Sequence, residues 1–484
     1  MSTPINSMTH KPLRWHKEWL ERYDLSGPRY TSYPTAPQFS AGFPEQEVEQ
    51  AIERSNDSGR PLSLYFHIPF CDTICYYCGC NKVVTANKSR ARPYLQMLHR
   101  EISLRGAQFD EQRPVHQLHW GGGTPTYISD DEKRELMGET RKYFQLLDDD
   151  SGEYSIEIHP GGLNTNTLGV LRQLGFNRLS MGIQDFNPKV QAAVNRFNSI
   201  EEVSALVQRA KTEGFHSLSM DLIYGLPHQS LTTVNETLEQ VVDLNPERLS
   251  LFNYAHMPHL FKSQKQMDAS ALPEPQEKLA MLESAIERLQ AAGYVYIGMD
   301  HFAKPDDALA IAQEQGALQR NFQGYATHGN CDMMAFGVSS ISAIDNIFVQ
   351  NHKDINDYQA ALEQNRLPVS KGICLTKDDQ LRQAVINQLI CHFELNFTDF
   401  DTLINQLTPQ SPIHSITAQP FEHYFADALE SLAPMIDDGL LSLRDRKLTV
   451  SLDGRLLIRR ICMAFDAYLT TTEKSVRPQY SRII

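Results

Sequence analysis

A regular alternation of strand-like and helix-like segments, starting at Leu62, constrains this chain more than anything else in it. Leu62–His67, Val115–Trp120, Tyr154–Ile158, Arg178–Ile183, Leu218–Ile223 and Arg248–Tyr254 read as short strands. Helical segments fall at about Arg90–Gln108, Ser199–Glu213 and Leu231–Leu244, and Pro275–Ala292 follows the last strand. Strands that alternate with helices form parallel βαβ units, because a parallel neighbour needs a long crossover. Tyr294–Gly298 is a candidate seventh strand. The unusual residues gather at one end of these units. Cysteines follow the first strand, and Gly121-Gly122-Gly123-Thr124-Pro125 follows the second. Glu157 ends the third, Gln184 follows the fourth, Asp221 lies in the fifth, and Tyr254-Ala255-His256 ends the sixth. In a β/α barrel the C-terminal strand ends form the active face. The expected architecture is an open or partial barrel with one large site in its mouth.

Cys71, Cys75, Cys78 and Cys80 lie within ten residues, while Cys331, Cys374, Cys391 and Cys462 are scattered singly. A cluster this tight is a soft-metal site rather than a disulfide framework. Structural zinc usually takes two separated Cys-x-x-Cys pairs. The C-x3-C-x2-C spacing of Cys71, Cys75 and Cys78, with no second knuckle downstream, suits an iron–sulfur cubane with one iron left open. A zinc knuckle is the rival reading. Cys80 is too close to Cys78 to reach the fourth iron easily and reads as a neighbouring thiol.

Composition sets the outer limits. The chain is long enough for two or three domains, and 41% hydrophobic residues are ordinary for a protein with a sizeable core. No apolar run approaches the ~20 residues of a membrane span. Met1–Lys17 is polar, without a signal core, so a reducing cytoplasm is expected. A net charge of −14 argues against nucleic acid as a partner. Gly27–Thr35 is too rich in turn formers for a regular element. After about Lys371 helices at Asp378–Cys391, Phe421–Asp438 and Gly454–Leu469 flank a hairpin at Gly439–Leu443 and Lys447–Ser451, a winged-helix-like pattern. The expected divisions are 1–60, an N-terminal extension; 61–370, the barrel and its own extension; and 371–484, a mainly helical domain.

The cysteine spacing, with Tyr77 before the third cysteine, resembles the motif of radical S-adenosylmethionine (SAM) enzymes. That resemblance implies a partial (β/α)6-type barrel and a [4Fe–4S] cluster on Cys71, Cys75 and Cys78, whose open iron binds SAM and cleaves it to a 5′-deoxyadenosyl radical. Longer strings go further: Ser63-Leu64-Tyr65-Phe66-His67-Ile68-Pro69-Phe70-Cys71, Leu118-His119-Trp120-Gly121-Gly122-Gly123-Thr124, Asn177-Arg178-Leu179-Ser180-Met181-Gly182-Ile183-Gln184, Asp221-Leu222-Ile223-Tyr224-Gly225, Gly298-Met299-Asp300-His301 and Arg29-Tyr30-Thr31-Ser32-Tyr33-Pro34. Together they resemble the oxygen-independent coproporphyrinogen III oxidases over nearly the whole chain. The resemblance implies oxidative decarboxylation of two propionates of coproporphyrinogen III to vinyl groups, giving protoporphyrinogen IX, with two molecules of SAM.

Residue by residue, it implies that Tyr65, Gly122, Glu157 and Ile341 contact the SAM on the cluster. Tyr77, Gly123, Thr124, Gln184, Arg196, Asp221 and Ala255 would line a second SAM. Tyr65, Glu157 and Cys80 are the candidate catalytic groups. Arg196 is of the type that pairs a carboxylate in bidentate fashion. Arg29 and Tyr30 are candidates for holding propionates or closing the site. His159 and Gln319 depart from the family's usual residues, which puts their local polar networks in question. The implied partners are coproporphyrinogen III and an electron donor and acceptor that the sequence does not name, acting on a monomer. The alternative is a haem-binding relative acting as a haem chaperone, but such relatives generally lack both a match to Cys80 and the N-terminal Arg-Tyr-Thr-Ser-Tyr-Pro segment.

Overall fold

The computed structural model describes residues 17–161, 163–164, 166–407 and 420–469. The chain forms two compact units. One comprises Phe39–Leu282 with Asn330–Cys374; the other comprises the described residues up to Gln38, Glu283–Gly329, and those from Leu375 onward. These boundaries differ from the expected 1–60, 61–370 and 371–484. Helix α1 (Glu45–Ser58) belongs with the first unit because Ser55 donates to the buried Asp332 at 2.5 Å and Arg54 pairs with Asp345.

The first unit is built on β1 (Leu62–Ile68), β2 (Pro114–Gly122), β3 (Glu153–Ile158), β4 (Arg178–Gln184), β5 (Ser217–Tyr224) and β6 (Arg248–Asn253). They pair in that order and all in parallel. Beyond β1 the sheet continues through β7 (Asp332–Phe336), which is parallel to it, and then antiparallel through β8 (Ile341–Ile344), β9 (Ile347–Asn351) and β10 (Val369–Cys374). Helix α2 (Ala91–Gly106) connects β1 to β2. The chain leaves β4 through α3 (Pro188–Val194) and α4 (Ile200–Thr212), and α5 (Leu231–Leu244) connects β5 to β6. Capping boxes at Ser199–Glu202 and Ser230–Thr233 satisfy the first amides of α4 and α5 and fix where those helices begin.

Side-chain parity along the strands creates two different faces. Tyr154, Ile156 and Ile158 on β3, Leu179, Met181 and Ile183 on β4, and Leu218, Met220 and Leu222 on β5 are buried. The alternate positions carry Ser155, Glu157, Ser180, Gly182, Gln184, Ser219 and Asp221. The apolar set makes a packed layer in which Phe66 stacks on Phe336 at 4.9 Å and Trp120 meets Phe176 edge-on at 4.9 Å. The polar set is the wall of the site.

The candidate seventh strand forms at Val295–Gly298 but pairs antiparallel with His301–Ala303. Only Met299 and Asp300 separate them, far too few residues for a parallel crossover. In the second unit the expected helix Phe421–Asp438 is three short ones, the last starting at Ala433 and Pro434, since proline cannot continue a preceding turn. The hairpin is Leu441–Arg444 with Lys447–Val450, turning through Asp445 and Arg446, both at positive φ. Gly454–Leu469 shortens to a 3-10 turn and Ile458–Met463. Among the described residues no helix is long and apolar enough to cross a membrane.

A buried ionic knot ties β7 and β9 to α2. Glu101 accepts from the Gly337 amide, the Tyr358 hydroxyl and the Asn351 side chain, each at 2.7 Å, and from Arg105 at 3.0 Å. Glu101 and Arg105 are both fully buried. Two turns earlier Tyr94 donates to the His67 carbonyl at 2.7 Å, carrying this rigidity to the end of β1. Breaking a buried pair leaves its partner charged and unsatisfied. Glu101→Ala is therefore expected to cost about 3–5 kcal/mol, read as a lowered midpoint in urea unfolding. An unchanged midpoint would show that Arg105 finds another acceptor.

Candidate active site

The cysteine loop leaves β1 through Pro69 and Phe70 and closes on itself where Phe70–Cys71 pairs with Val83–Val84. Its base is hydrogen-bonded to the glycine run of β2: Gly123 N donates to Ile68 O and Thr124 N to Phe70 O, both at 2.8 Å. A Cβ on Gly123 would lie 2.7 Å from Phe70 O, so only glycine allows this approach. The far side is gripped by the end of α3. Val194 O accepts from Tyr76 N at 3.0 Å, and Asn195, in the left-handed conformation that asparagine tolerates, donates to Ile74 O at 2.7 Å.

Cys71, Cys75 and Cys78 are free thiols on this loop. Thr124 Oγ1 donates to Cys71 Sγ at 3.6 Å, and Arg196 Nη1 lies 3.7 Å from Cys75 Sγ. Burial pushes the Cys71 thiol up to about 11. The neighbouring Cys80 thiol and then Lys82 pull Cys78 down, with Lys82 Nζ donating to Cys78 O at 3.0 Å. Among the described residues no three Cys, His, Asp or Glu side chains converge as ligands of a single ion. A cubane places each thiolate on a separate iron, and three thiols with polar and cationic donors around their sulfurs fit that group.

Beside the loop, one polar row crosses β1, β2 and β3. Tyr65, His119 and Ser155 are register partners. The Tyr65 ring stacks on His119 at 5.8 Å, and its hydroxyl donates to His67 Nδ1 at 3.1 Å. His67 Nε2 donates in turn to the carbonyl of Asn81 at 2.9 Å, which fixes the tautomer. His119 meets Ser155 at 2.5 Å and Glu157 at 3.4 Å, while Gly122 N donates to Glu157 at 3.2 Å. Burial raises the Glu157 carboxyl, but His119 and the Gly122 amide outweigh it and hold it below the usual range. Asp221 faces Ser180 at 3.4 Å; burial, with the nearby Glu157 charge, pushes it up to about 6.

The remaining expected residues are placed as follows. Gln184 sits at positive φ after a bulge in β4, which re-aims its side chain. Arg196 does not pair a carboxylate: Nε and Nη2 both donate to Gly182 O, because the bulged strand presents that carbonyl. Tyr77 packs against Val190, Val194, Leu226, Tyr254 and Met267. The carbonyls of Tyr77 and Ala255 both accept from Gln264 at 3.3 and 3.2 Å. Ile341 opens β8, opposite Gln350. In the other unit Arg29 pairs with Asp300 at 2.5 Å, and Tyr30, 3% exposed, donates to Asp466 at 2.9 Å. Tyr30 is thus a buried anchor of its own segment. His119, Asn195 and Gln264 were not singled out from sequence. His119 shares the parity of Tyr65 across the strands, and Asn195 follows the last residue of a helix; both signals were available.

The parallel βα units and the three-thiol loop define a radical SAM protein, and residues 65–241 match the family description "Radical SAM superfamily". Oxygen-independent coproporphyrinogen III oxidase from Pseudomonas aeruginosa is 49% identical over 98% of this chain and 99% of its own length. The enzyme of that name from Escherichia coli is 46% identical over 99% and 100%. The solved structure of coproporphyrinogen III oxidase from Escherichia coli superposes with a TM-score of 0.87, covering 95% of this chain and all of that one. The chain belongs to the oxygen-independent coproporphyrinogen III oxidases.

The raised Asp221 carboxyl has a measurable signature. Its folded value, about 6, lies above the ordinary 3.8, so ionisation opposes folding. Stability is greatest below the unfolded value and falls as pH rises through the folded one. Asp221→Asn removes that slope. The stability advantage over the parent, followed through the melting temperature, is expected to grow from about pH 4 to about pH 7, by at most about 3 kcal/mol. A difference that does not vary with pH would rule out a raised carboxyl.

Proposed function

We propose that this chain oxidatively decarboxylates two propionate side chains of coproporphyrinogen III to vinyl groups without oxygen, giving protoporphyrinogen IX. The observation that carries it is the loop of three free thiols seated against the Tyr65–His119–Glu157 row, in a chain whose full length matches oxidases of that name. When bound, the [4Fe–4S] cluster and SAM supply an alkyl radical able to remove a propionate hydrogen that no protein base can take.

The protein's part is to hold, orient and dry. Cys71, Cys75 and Cys78 would hold the cluster. Glu157, kept ionised by His119 and the Gly122 amide, suits the ammonium of SAM. Tyr65, fixed by His67 and His119, and Ile341 complete that position. The second SAM is proposed along Tyr77, Gly123, Thr124, Gln184, Arg196, Asp221 and Ala255, where Asp221 is poised to share hydrogen bonds with hydroxyls. Tyr77 and its apolar neighbours exclude water, without which a radical would be quenched. Cys80, beside Cys78, is proposed to tune the cluster's surroundings. The reading extends to a monomer in the cytoplasm, where the cluster thiols stay reduced, served by separate electron donors and acceptors.

Anaerobic incubation of reconstituted protein with coproporphyrinogen III, SAM and a reductant, followed by porphyrin analysis, tests the activity; absence of vinyl products would refute it. Replacing Cys71, Cys75 or Cys78 singly by Ser is expected to abolish the brown cluster absorbance and SAM cleavage. The same change at Cys331, Cys374, Cys391 or Cys462 is expected to leave both intact. Iron content that depends on any of those four would overturn the single-loop assignment.

A further inference from the structure

The unit that contains Arg29 also holds two half-buried arginines, each with a buried guanidinium N–H that has no partner among the described residues. Arg320 lies on the short strand Gln319–Asn321, directly across from Tyr325 on Gly324–Ala326. Its guanidinium sits over the Tyr325 ring at 4.7 Å, and its buried Nε and Nη1 have no hydrogen-bond partner among the described residues. Arg455 sits over the Phe393 ring at 4.5 Å, and its buried Nε is likewise without a partner. Stacking occupies the face of a guanidinium and leaves its in-plane N–H groups available. Such groups are costly to bury unless an acceptor meets them.

The two rings converge. Both Tyr325 and Phe393 press on Gly298, where a side chain would collide with them. Tyr325 is held by donation to Ile390 O at 3.0 Å and by edge contact with His301 at 5.2 Å. Phe393 caps the helix Lys377–His392 at φ +60, a conformation that bulky residues avoid and that persists where surrounding structure imposes it. Arg29 lies in the same unit, its charge answered by Asp300. The result is a packed aromatic pair with a guanidinium stacked on each ring.

We infer that Arg320 and Arg455 form a carboxylate-binding site that takes propionate side chains of the substrate, with Tyr325 and the buried Phe393 as the rings that hold the two guanidiniums in place. Bidentate N–H···O bonding is the chemistry that in-plane guanidinium edges offer, and a macrocycle carrying several carboxylates presents the anions to meet them. This rests on the substrate class proposed above.

The probe is coproporphyrin III, the stable aromatic tetracarboxylate, titrated into anaerobic holoenzyme by fluorescence quenching. Arg320→Gln and Arg455→Gln are each expected to weaken binding roughly tenfold or more, with iron content unchanged. Arg320→Lys and Arg455→Lys are expected to recover part of the loss, since lysine keeps charge but not the fork. In the unaltered protein the dicarboxylate mesoporphyrin IX is expected to bind more weakly than the tetracarboxylate, a comparison that stands even if a variant fails to fold. Wild-type affinity in both Gln variants, or equal affinity for the two porphyrins, overturns the inference. If vinyl products form but these titrations show no dependence on either arginine, only this site is refuted. If the arginines matter for porphyrin binding but no vinyl product forms, the proposed reaction is what fails.

Discussion

Everything in the site depends on one close backbone approach, that of Gly123 to the segment Pro69–Phe70. The paired bonds from Gly123 and Thr124 to Ile68 and Phe70 fuse the end of β1 to the end of β2. They turn the cysteine loop from a surface excursion into an extension of the sheet. Because β2 also carries His119 and the Gly122 amide, the same junction sets the distance between the thiols and Glu157. A side chain at position 123 would separate two elements that must be considered together.

The two strand faces divide the labour. Apolar residues at one parity supply the transfer energy that folds the unit, at roughly 25 cal/mol per Å² of apolar surface removed from water. Polar residues at the other parity are freed from packing duty and can be chosen for charge state. Glu157 and Asp221 show this: both are carboxylates on neighbouring stretches of one wall, yet His119 keeps the first ionised while burial favours the neutral form of the second.

Much of this was legible in the sequence, for reasons that are local. The six parallel strands announce themselves by period-two patterns, α4 and α5 by Ser199 and Ser230 at their caps, and the loop by cysteine spacing. What was not legible depends on distant partners. Arg29 and Tyr30 stand in a turn-rich segment whose role is decided by Asp300 and Asp466, 271 and 436 residues away. Arg196 carries the signature of a carboxylate clamp, and only the bulge in β4 shows that a carbonyl receives it. Asp332–Phe336 is buried throughout, so its sequence lacks the alternation that marks a half-buried strand. At Tyr294–Gly298 propensity was right about the strand and silent about its partner.

The anchoring of the cysteine loop has a consequence for how the protein comes to be made. Main-chain groups of Ile68, Phe70, Ile74 and Tyr76 fix the loop, none of them a sulfur. Its shape is therefore written into the polypeptide before any iron arrives. Maturation can proceed in the order translation, folding, then delivery of inorganic sulfide and iron into a ready mould. A chain that has lost its cluster to air would, on the same grounds, keep the mould and await refilling.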